Sequence, residues 1–241
     1  ALNSTSTNAQ VGTIAIGTNA LTALTSGASN TAVGYTAGTA ITTGERNTIL
    51  GYEALDGGST EVDDNTAIGF RAMTGAIGTE AVNDCVAIGS YALYGALEEE
   101  ASGTIAIGVT TLGALTTGAG NVAVGYSALK ACTSGGSNIA IGDTALEDIV
   151  TGGANVAIGR NAGKEMGAAE NGNILIGMAA GQLLDEGSNG TINDNIAIGK
   201  DAFLGGDLST ASTAVYRNIA IGTNALNSTG TNAQTGTIAI G

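Results

Sequence analysis

The sequence contains no proline, histidine or tryptophan, and aromatic residues make up only 3% of its 241 residues. Because histidine is absent, catalysis by a nucleophile–histidine–acid arrangement is excluded. The hydrophobic content of 43% is supplied mainly by Ala, Ile, Val and Leu, so a compact core would lack its usual large side chains. The composition therefore favours a thin, layered structure over a globular domain.

Basic residues are also scarce: seven Lys and Arg stand against 21 Asp and Glu, which gives a net charge of −14. Nucleic acids and anionic membrane surfaces are bound through clustered basic side chains, so neither is expected as a partner. No apolar run reaches the roughly 18 residues of a membrane-spanning helix, so we expect no membrane insertion in this segment. No phosphate-binding loop or metal-ligand spacing is present, and we predict neither a cofactor nor a metal.

The two cysteines, Cys85 and Cys132, are too few for a disulfide framework and lack the spacing of a metal site. We expect them to be small buried side chains. This interpretation assigns them to packing rather than to chemistry.

Glycine, by contrast, is abundant, and many of the 40 glycines end a recurring pentapeptide of the form Asn, β-branched, Ala, aliphatic, Gly. Successive copies are 17–23 residues apart, a period typical of solenoids in which each repeat forms one coil. We expect each glycine to allow a positive φ or a close backbone approach where a strand bends into the next edge of the coil. These glycines are Gly17, Gly34, Gly51, Gly69, Gly89, Gly108, Gly125, Gly142, Gly159, Gly177, Gly199, Gly222 and Gly241.

The pentapeptide alternates large and small apolar side chains. Thr, Val or Ile stands three residues before the glycine, Ile, Val or Leu stands one before it, and Ala stands between them except at Ile49 and Leu175. This alternation predicts a short β-strand whose two faces meet different neighbours, and the absence of charged residues from every pentapeptide indicates burial. The sequence therefore predicts an all-β fold, a parallel β-solenoid (β-roll or β-helix) with about one coil per 17–23 residues.

Asparagine opens most of the pentapeptides. When coils stack about 4.8 Å apart, like residues fall over one another, and Asn amides can hydrogen-bond along the column. We therefore predict a structural Asn ladder rather than a ligand site, because a column shared by most coils is a scaffold feature. Its members are Asn30, Asn47, Asn65, Asn121, Asn138, Asn155, Asn173, Asn195 and Asn218.

Each repeat also has a second apolar edge, in which Ala and usually Leu follow the glycine, as in Ala20 and Leu21 or Ala128 and Leu129. We expect this edge to face inward. The rest of each repeat is rich in Gly, Ser, Thr and acids and is interpreted as the outer turn, where solenoids display binding functions. The longer repeats carry insertions in this outer segment, at residues 74–84, 94–103, 182–194 and 204–217.

The first seventeen residues nearly duplicate the last seventeen, and only Ser6/Gly230 and Val11/Thr235 differ. The match indicates a higher-order repeat of 224 residues, so we expect residues 1–241 to be a single continuous solenoid of thirteen repeat units within a longer chain. Neither end shows the polar cap that a free solenoid needs. This predicts a continuous fibre, formed by one long chain or by blocks stacked head to tail.

The repeat units resemble the head repeats of trimeric autotransporter adhesins of the YadA type, and similar repeats in bacteriophage tail fibres, as in NTAVGYTAG, NTAIGFRAM, NVAVGYSAL, NIAIGDTAL and NIAIGTNAL. The resemblance covers nearly the whole chain. It implies a left-handed parallel β-roll, three chains packed around an axis, and an outer surface that binds matrix proteins or host receptors. It also implies that the Ala and aliphatic positions supply the roll interior and the contact between chains.

Two departures from that family are visible: the repeats are longer than its typical head unit, and no neck or coiled-coil stalk is present. Independently of the family, both faces of the predicted strand are apolar. We expect the flat face of small Ala residues to meet a close partner rather than water.

Other functions have less support in the sequence. A glycosidase needs only two suitably spaced carboxylates, for which Asp63 with Asp64, residues 98–100, and Asp185 with Glu186 are candidates, but adjacent acids in variable turns are usually solvated. Calcium would suit the acids at 61–64 or 143–148, although neither stretch matches a known calcium loop. Scattered Thr residues argue against ice binding.

Aromatic residues directly follow four of the pentapeptide glycines, at Tyr35, Tyr52, Phe70 and Tyr126. Spaced by whole coils, they form either an exposed stacking stripe or a cover over the corner of the coil.

Taken together, these observations predict a non-enzymatic structural shaft of an extracellular fibre or adhesin, located at a cell or virion surface. Its variable outer turns would mediate adhesion to a host or matrix ligand or contact between fibres, and copies would self-associate as a homotrimer or head to tail. A bacteriophage tail-fibre segment for host recognition is the alternative within this architecture. A carbohydrate-degrading β-solenoid is the alternative from another class.

Overall fold

The computed structural model describes residues 11–57, 62–75, 82–98, 101–167, 169–185, 191–207, 214–227 and 234–241. Within these residues the secondary structure is β-strand and turn, with no α-helix. They belong to two compact units, residues 1–121 and residues 122–241, which are described in turn. None of the described segments forms a helix long and apolar enough to cross a bilayer.

The first unit contains six three-residue strands, each ending just before a pentapeptide glycine; these and their counterparts in the second unit are called AIG strands below. Each pairs in parallel with the next, with equivalent residues opposite one another, as Ile14 lies beside Thr31. One strand per repeat in this register means one rung per coil, which confirms the predicted parallel β-solenoid. The strands are β1 (Ile14–Ile16), β2 (Thr31–Val33), β3 (Thr48–Leu50), β4 (Thr66–Ile68), β5 (Val86–Ile88) and β6 (Ile105–Ile107).

The second unit contains seven AIG strands, which pair in parallel in sequence order. They are β7 (Val122–Val124), β8 (Ile139–Ile141), β9 (Val156–Ile158), β10 (Ile174–Ile176), β13 (Ile196–Ile198), β16 (Ile219–Ile221) and β18 (Ile238–Ile240). The last three repeats place further strands between them, namely β11 (Leu183–Asp185), β12 (Thr191–Asn193), β14 (Gly205–Asp207), β15 (Ala214–Tyr216) and β17 (Gln234–Thr235).

These additional strands stack on one another as the AIG strands do. Strand β11 pairs in parallel with β14, and β15 lies between β12 and β17. Parts of the insertions 182–194 and 204–217 are therefore stacked strand rather than irregular loop. The insertions 74–84 and 94–103 lie partly outside the described residues.

The middle residue of the AIG strand points into the coil. From Ala32 to Ala220 this residue is completely buried, whereas the first and last residues of each strand are half-buried or exposed. The expectation that the alanine face meets a partner was therefore wrong, because the alanines lie inside the coil and the flanking aliphatic residues face outward. The coil is too narrow for large side chains on every edge, so the AIG strand contributes a methyl group and directs its larger residues outward.

Larger side chains fill the coil from its other edges. Leu21 and Leu129, on the predicted second apolar edge, are completely buried, which confirms that this edge faces inward. A third column of buried apolar residues follows it, with Leu24, Ile41 and Leu115 among its members. The coil interior is thus assembled from one column of small residues and two columns of large ones.

The two exceptions to the central alanine are compensated across the coil. Ile49 lies near Gly38, where a Cβ would come within 2.8 Å of the Ile49 Cδ1, and Leu175 lies near Gly163 and Gly181, where a Cβ would come within 2.7 and 2.8 Å of Leu175 methyl groups. These glycines occupy the position that Leu21 holds in its repeat. A large residue on one edge is therefore balanced by the smallest residue on the facing edge, which keeps the interior volume nearly constant.

The pentapeptide glycines allow successive rungs to approach closely. Gly89 has φ +133°, and a Cβ there would lie 2.6 Å from the carbonyl carbon of Gly108 in the next rung. A side chain at this position would therefore require both a rare backbone conformation and a displacement of the neighbouring coil.

Candidate functional site

A buried column of asparagines runs beside the AIG strands in the first unit. Asn47 donates its backbone N–H, at 3.0 Å, and its side-chain amide, at 2.9 Å, to Oδ1 of Asn30. Its amide also donates to the carbonyl of Val62 at 2.6 Å, and Asn65 bonds to Oδ1 of Asn47 in the same way. Each amide thus joins its own coil to both neighbours, and the buried polar atoms find partners.

The second unit repeats this arrangement along four successive steps. Asn155, Asn173, Asn195 and Asn218 each donate a backbone N–H and a side-chain amide to the Oδ1 of the asparagine one coil earlier, at 2.9–3.1 Å. The first acceptor is Asn138. These side chains are completely buried, so the column has no surface that a ligand could reach.

Other residues replace asparagine in parts of the column. Cys85 donates its backbone N–H to Oδ1 of Asn65 at 3.0 Å, Thr104 occupies the corresponding position in the next repeat, and asparagine returns at Asn121. Burial raises the pKa of the Cys85 thiol, and it raises the pKa of the Cys132 thiol to about 11. Both cysteines are free and buried, as expected for packing residues.

A second polar ladder lies two residues before the asparagine column, and the sequence reasoning missed it. Glu45 and Asp63 donate their backbone N–H groups to side-chain oxygens of Asp63 and Asn83, respectively, each at 2.7 Å. In the second unit the N–H of Asn171 donates to Oδ1 of Asn193, also at 2.7 Å. The signal was the recurrence of Asp, Asn or Ser at this position, which looked like ordinary turn composition.

The AIG strands present an exposed apolar face, which is formed by the first and last residues of each strand and not, as the sequence had suggested, by the alanines. Its first outward column consists of the first strand residues, Ile14, Thr31, Thr48, Thr66, Val86, Ile105, Val122, Ile139, Val156, Ile174, Ile196, Ile219 and Ile238. Its second outward column consists of the last strand residues, Ile16, Val33, Leu50, Ile68, Ile88, Ile107, Val124, Ile141, Ile158, Ile176, Ile198, Ile221 and Ile240. Within the chain itself, exposed fractions such as 36% for Ile139 and 38% for Ile141 show how incompletely these side chains are covered.

The residue after each glycine forms a third outward column along one flank of this face. In chain order its members are Thr18, Tyr35, Tyr52, Phe70, Ser90, Val109, Tyr126, Asp143, Arg160, Met178, Lys200 and Thr223. The rings of Tyr35, Tyr52 and Phe70 stack on one another, with centroids 5.1 and 5.4 Å apart, and Tyr91 meets Phe70 edge-on. Because the rings cover each other's faces, they present mainly their edges to solvent.

The proposed catalytic acids do not form an isolated carboxylate pair. Arg46 binds Asp64 through two hydrogen bonds of 2.7 and 2.8 Å and lies 3.8 Å from Asp63. The guanidinium lowers the pKa of the Asp64 carboxyl, which keeps it ionised and unsuited to protonate a leaving group. Of the other candidates, Glu99, Glu100, Glu186 and the side chain of Asp185 lie outside the described residues.

Another acidic pair, which the sequence reasoning missed, lies beside the aromatic column. Burial raises the pKa of half-buried Asp56, and nearby Glu53 adds to the effect. Glu53 is itself bound to Arg71, with Nε and Oε2 2.5 Å apart. In the described ranges no group of three or more His, Cys, Asp or Glu side chains is placed to hold a metal ion, including the acids at 143–148.

Ion pairs elsewhere connect neighbouring coils. Glu147 lies 3.8 Å from Lys130 and 3.9 Å from Lys164, so one carboxylate links the repeats before and after it.

Comparison of the chain with family models, with curated proteins and with solved structures found no match.

Proposed function

We propose that the chain is the structural shaft of an extracellular fibre or adhesin, in which copies associate through the apolar face of the AIG strands. The exposure of two columns of Ile, Val, Leu and Thr along this face carries the proposal. At about 4.8 Å per rung and roughly 13 Å of width, the six rungs of the first unit offer about 370 Å² and the seven rungs of the second unit about 440 Å². A soluble monomer rarely leaves such a patch uncovered.

A second copy of the chain is the partner that fits this face best. The face repeats every coil, and only a partner with the same rung spacing stays in step with it along its length. The first two outward columns carry no charged side chain, so no ion would be buried without a partner on association. Three chains around an axis, as the resemblance implies, is the assembly that we propose for this face. Blocks stacked head to tail would meet at the ends of the solenoid instead and would add to this lateral contact.

The outer turns are left available for other contacts in such an assembly. They carry the acidic side chains and the insertions, and we assign them to adhesion to a host or matrix surface or to contacts between fibres. A location outside the cell, on a bacterial or virion surface, follows from the resemblance, and a bacteriophage tail fibre is one such setting.

We propose no catalytic role for the chain. Asp56 and Glu53 are the acids whose surroundings come nearest to a glycosidase pair, but the ion pair between Glu53 and Arg71 occupies one of the two carboxylates. We expect no turnover of polysaccharides by the protein. Release of reducing sugar that disappears in Glu53→Gln would contradict this assignment.

Association is tested by sedimentation and light scattering of the wild-type chain and of two variants. Ile141→Asp combined with Ile158→Asp places charges on the exposed face without disturbing the coil interior, and we expect it to dissociate the assembly. Ser134→Asp, at an exposed position in an outer turn of the same unit, leaves the assembly intact. A monomeric wild-type chain, or equal behaviour of both variants, would refute the proposal.

A further inference from the structure

The composition of the outward face changes from rung to rung in a coordinated way. All four aromatic residues of the third outward column lie on rungs that begin with the smaller Thr or Val: Thr31 with Tyr35, Thr48 with Tyr52, Thr66 with Phe70, and Val122 with Tyr126. On the rungs that begin with Ile, the residue of the third outward column is not aromatic, as with Asp143 on the rung of Ile139. Each aromatic residue of the third outward column thus accompanies a first-column residue that is smaller than Ile.

Neighbours within the chain do not explain this relation. The two columns lie on opposite edges of the rung, four residues apart in a chain with a rise of about 3.3 Å per residue. The aromatic rings contact one another along their own column, as Tyr52 contacts Tyr35 and Phe70. Both edges nevertheless remain uncovered, with Tyr52 45% exposed and Thr48 also exposed.

From this we infer that, in the assembly, the first outward column of one copy packs against the third outward column of the next copy at the same height. Complementary sizes across a shared contact are what close packing requires. Rotational symmetry around an axis produces such a contact, because the two edges of the face then meet in every pair of neighbouring copies. The inference rests on the proposed self-association and specifies its orientation and register.

Other registers fit the sequence less well. A shift of one rung in one direction would place Tyr126 against Ile139, and a shift in the other direction would place Tyr35 against Ile14. Only the unshifted, parallel arrangement gives all four aromatic residues a Thr or Val partner. Two parts of the column together define the register: Tyr35 disfavours the shift toward Ile14, and Tyr126 disfavours the shift toward Ile139.

Cysteine cross-linking tests this arrangement directly. We would compare Thr48→Cys, Tyr52→Cys and the double variant, oxidise each as the intact assembly, block remaining thiols, and then separate the chains without reductant. The native cysteines are buried and contribute little background. A short bis-maleimide applied in parallel captures pairs whose Cβ atoms are farther apart than the roughly 3.5–4.5 Å that a disulfide bridges.

We expect the double variant to shift from monomer to dimer and higher species, up to the number of copies in the ring, while each single variant stays monomeric on the gel. An assembly that light scattering detects but that neither reagent cross-links would overturn the column pairing alone. Efficient cross-linking of a single variant, or an internal cross-link in the double variant, would also overturn it. A wild-type chain that is monomeric in solution would instead remove the proposed function itself.

Discussion

Substitution of one pentapeptide glycine should destabilise the coil far more than the same substitution at another glycine of the same unit. In Gly89→Ala the new Cβ would lie 2.6 Å from the carbonyl carbon of Gly108, at a φ of +133°. A backbone held in that region costs about 1–3 kcal/mol for a residue with a side chain. The clash would also push the rung of Gly108 away from the rung of Gly89, and these two rungs are joined by a 2.8 Å hydrogen bond from the Gly108 N–H to the Ile88 carbonyl.

The matched control is Gly103→Ala. Gly103 has φ +71°, and a Cβ there would meet no atom within 4 Å. The alanine at position 103 then costs only about 1–2 kcal/mol, for holding a residue with a side chain in the left-handed conformation. The lower conformational entropy of the unfolded chain offsets part of this cost. With about 1 kcal/mol for each of one or two weakened ladder bonds, we expect Gly89→Ala to lose about 2–5 kcal/mol and Gly103→Ala about 1 kcal/mol.

Two measurements separate these outcomes. Urea unfolding followed by circular dichroism gives the overall loss, and the labelling rate of the buried Cys85 thiol reports opening of the coil that contains Gly89. We expect faster labelling in Gly89→Ala than in Gly103→Ala. Equal losses of stability and equal labelling rates would show that the close approach of the rungs does not constrain this position.

Three further predictions concern the interior of the coils. Gly38→Leu should destabilise the protein by overpacking the coil, and Ile49→Ala should destabilise it by leaving a cavity, each by about 2–5 kcal/mol. The double variant should recover most of this loss, which a double-mutant cycle of urea unfolding would measure. Asn155→Ala removes the acceptor of the buried Asn173 N–H and one of the two donors to Asn138 Oδ1, and it should cost about 3 kcal/mol in the same assay. A loss below about 1 kcal/mol would contradict the structural role of the ladder. Because burial raises the pKa of Cys132 from 9.0 to about 11, the unfolded thiol ionises first, and stability should fall as the pH rises through this interval. Unfolding at pH 8, 9, 10 and 11 should show a weaker fall in Cys132→Ala, where the buried Cys85 thiol is the cysteine that still contributes.

The coil and its register were predictable because the same pattern of residue types recurs in every repeat of the sequence. A glycine at each strand end and like residues at matching positions leave few alternatives to stacked rungs, and the structure pairs Ala32 with Ile49 as the repeat requires. The asparagine positions were equally visible, since a polar residue repeated beside a buried strand needs partners that only neighbouring coils supply.

The direction of the strand faces could not be deduced from the same pattern. Alternation of Ile and Ala indicates two faces, and the usual preference of large apolar residues for the interior favours the wrong one. The answer depends on how much space the other edges leave, and leucines such as Leu21 and Leu129 already fill the coil. The glycine at position 38 was a usable signal, because its smallness is meaningful only if Ile49 faces it.

The hydrogen bonds of the asparagine ladder join residues only one repeat apart, as Asn173 joins Asn155 and is joined by Asn195. Within each unit, a coil therefore depends on its immediate neighbours and on no distant part of the chain. Such an architecture can be lengthened or shortened by whole repeats without redesign of the remainder. Gene duplication and deletion can thus change the length of the solenoid, while each remaining pair of neighbouring coils keeps the same hydrogen bonds.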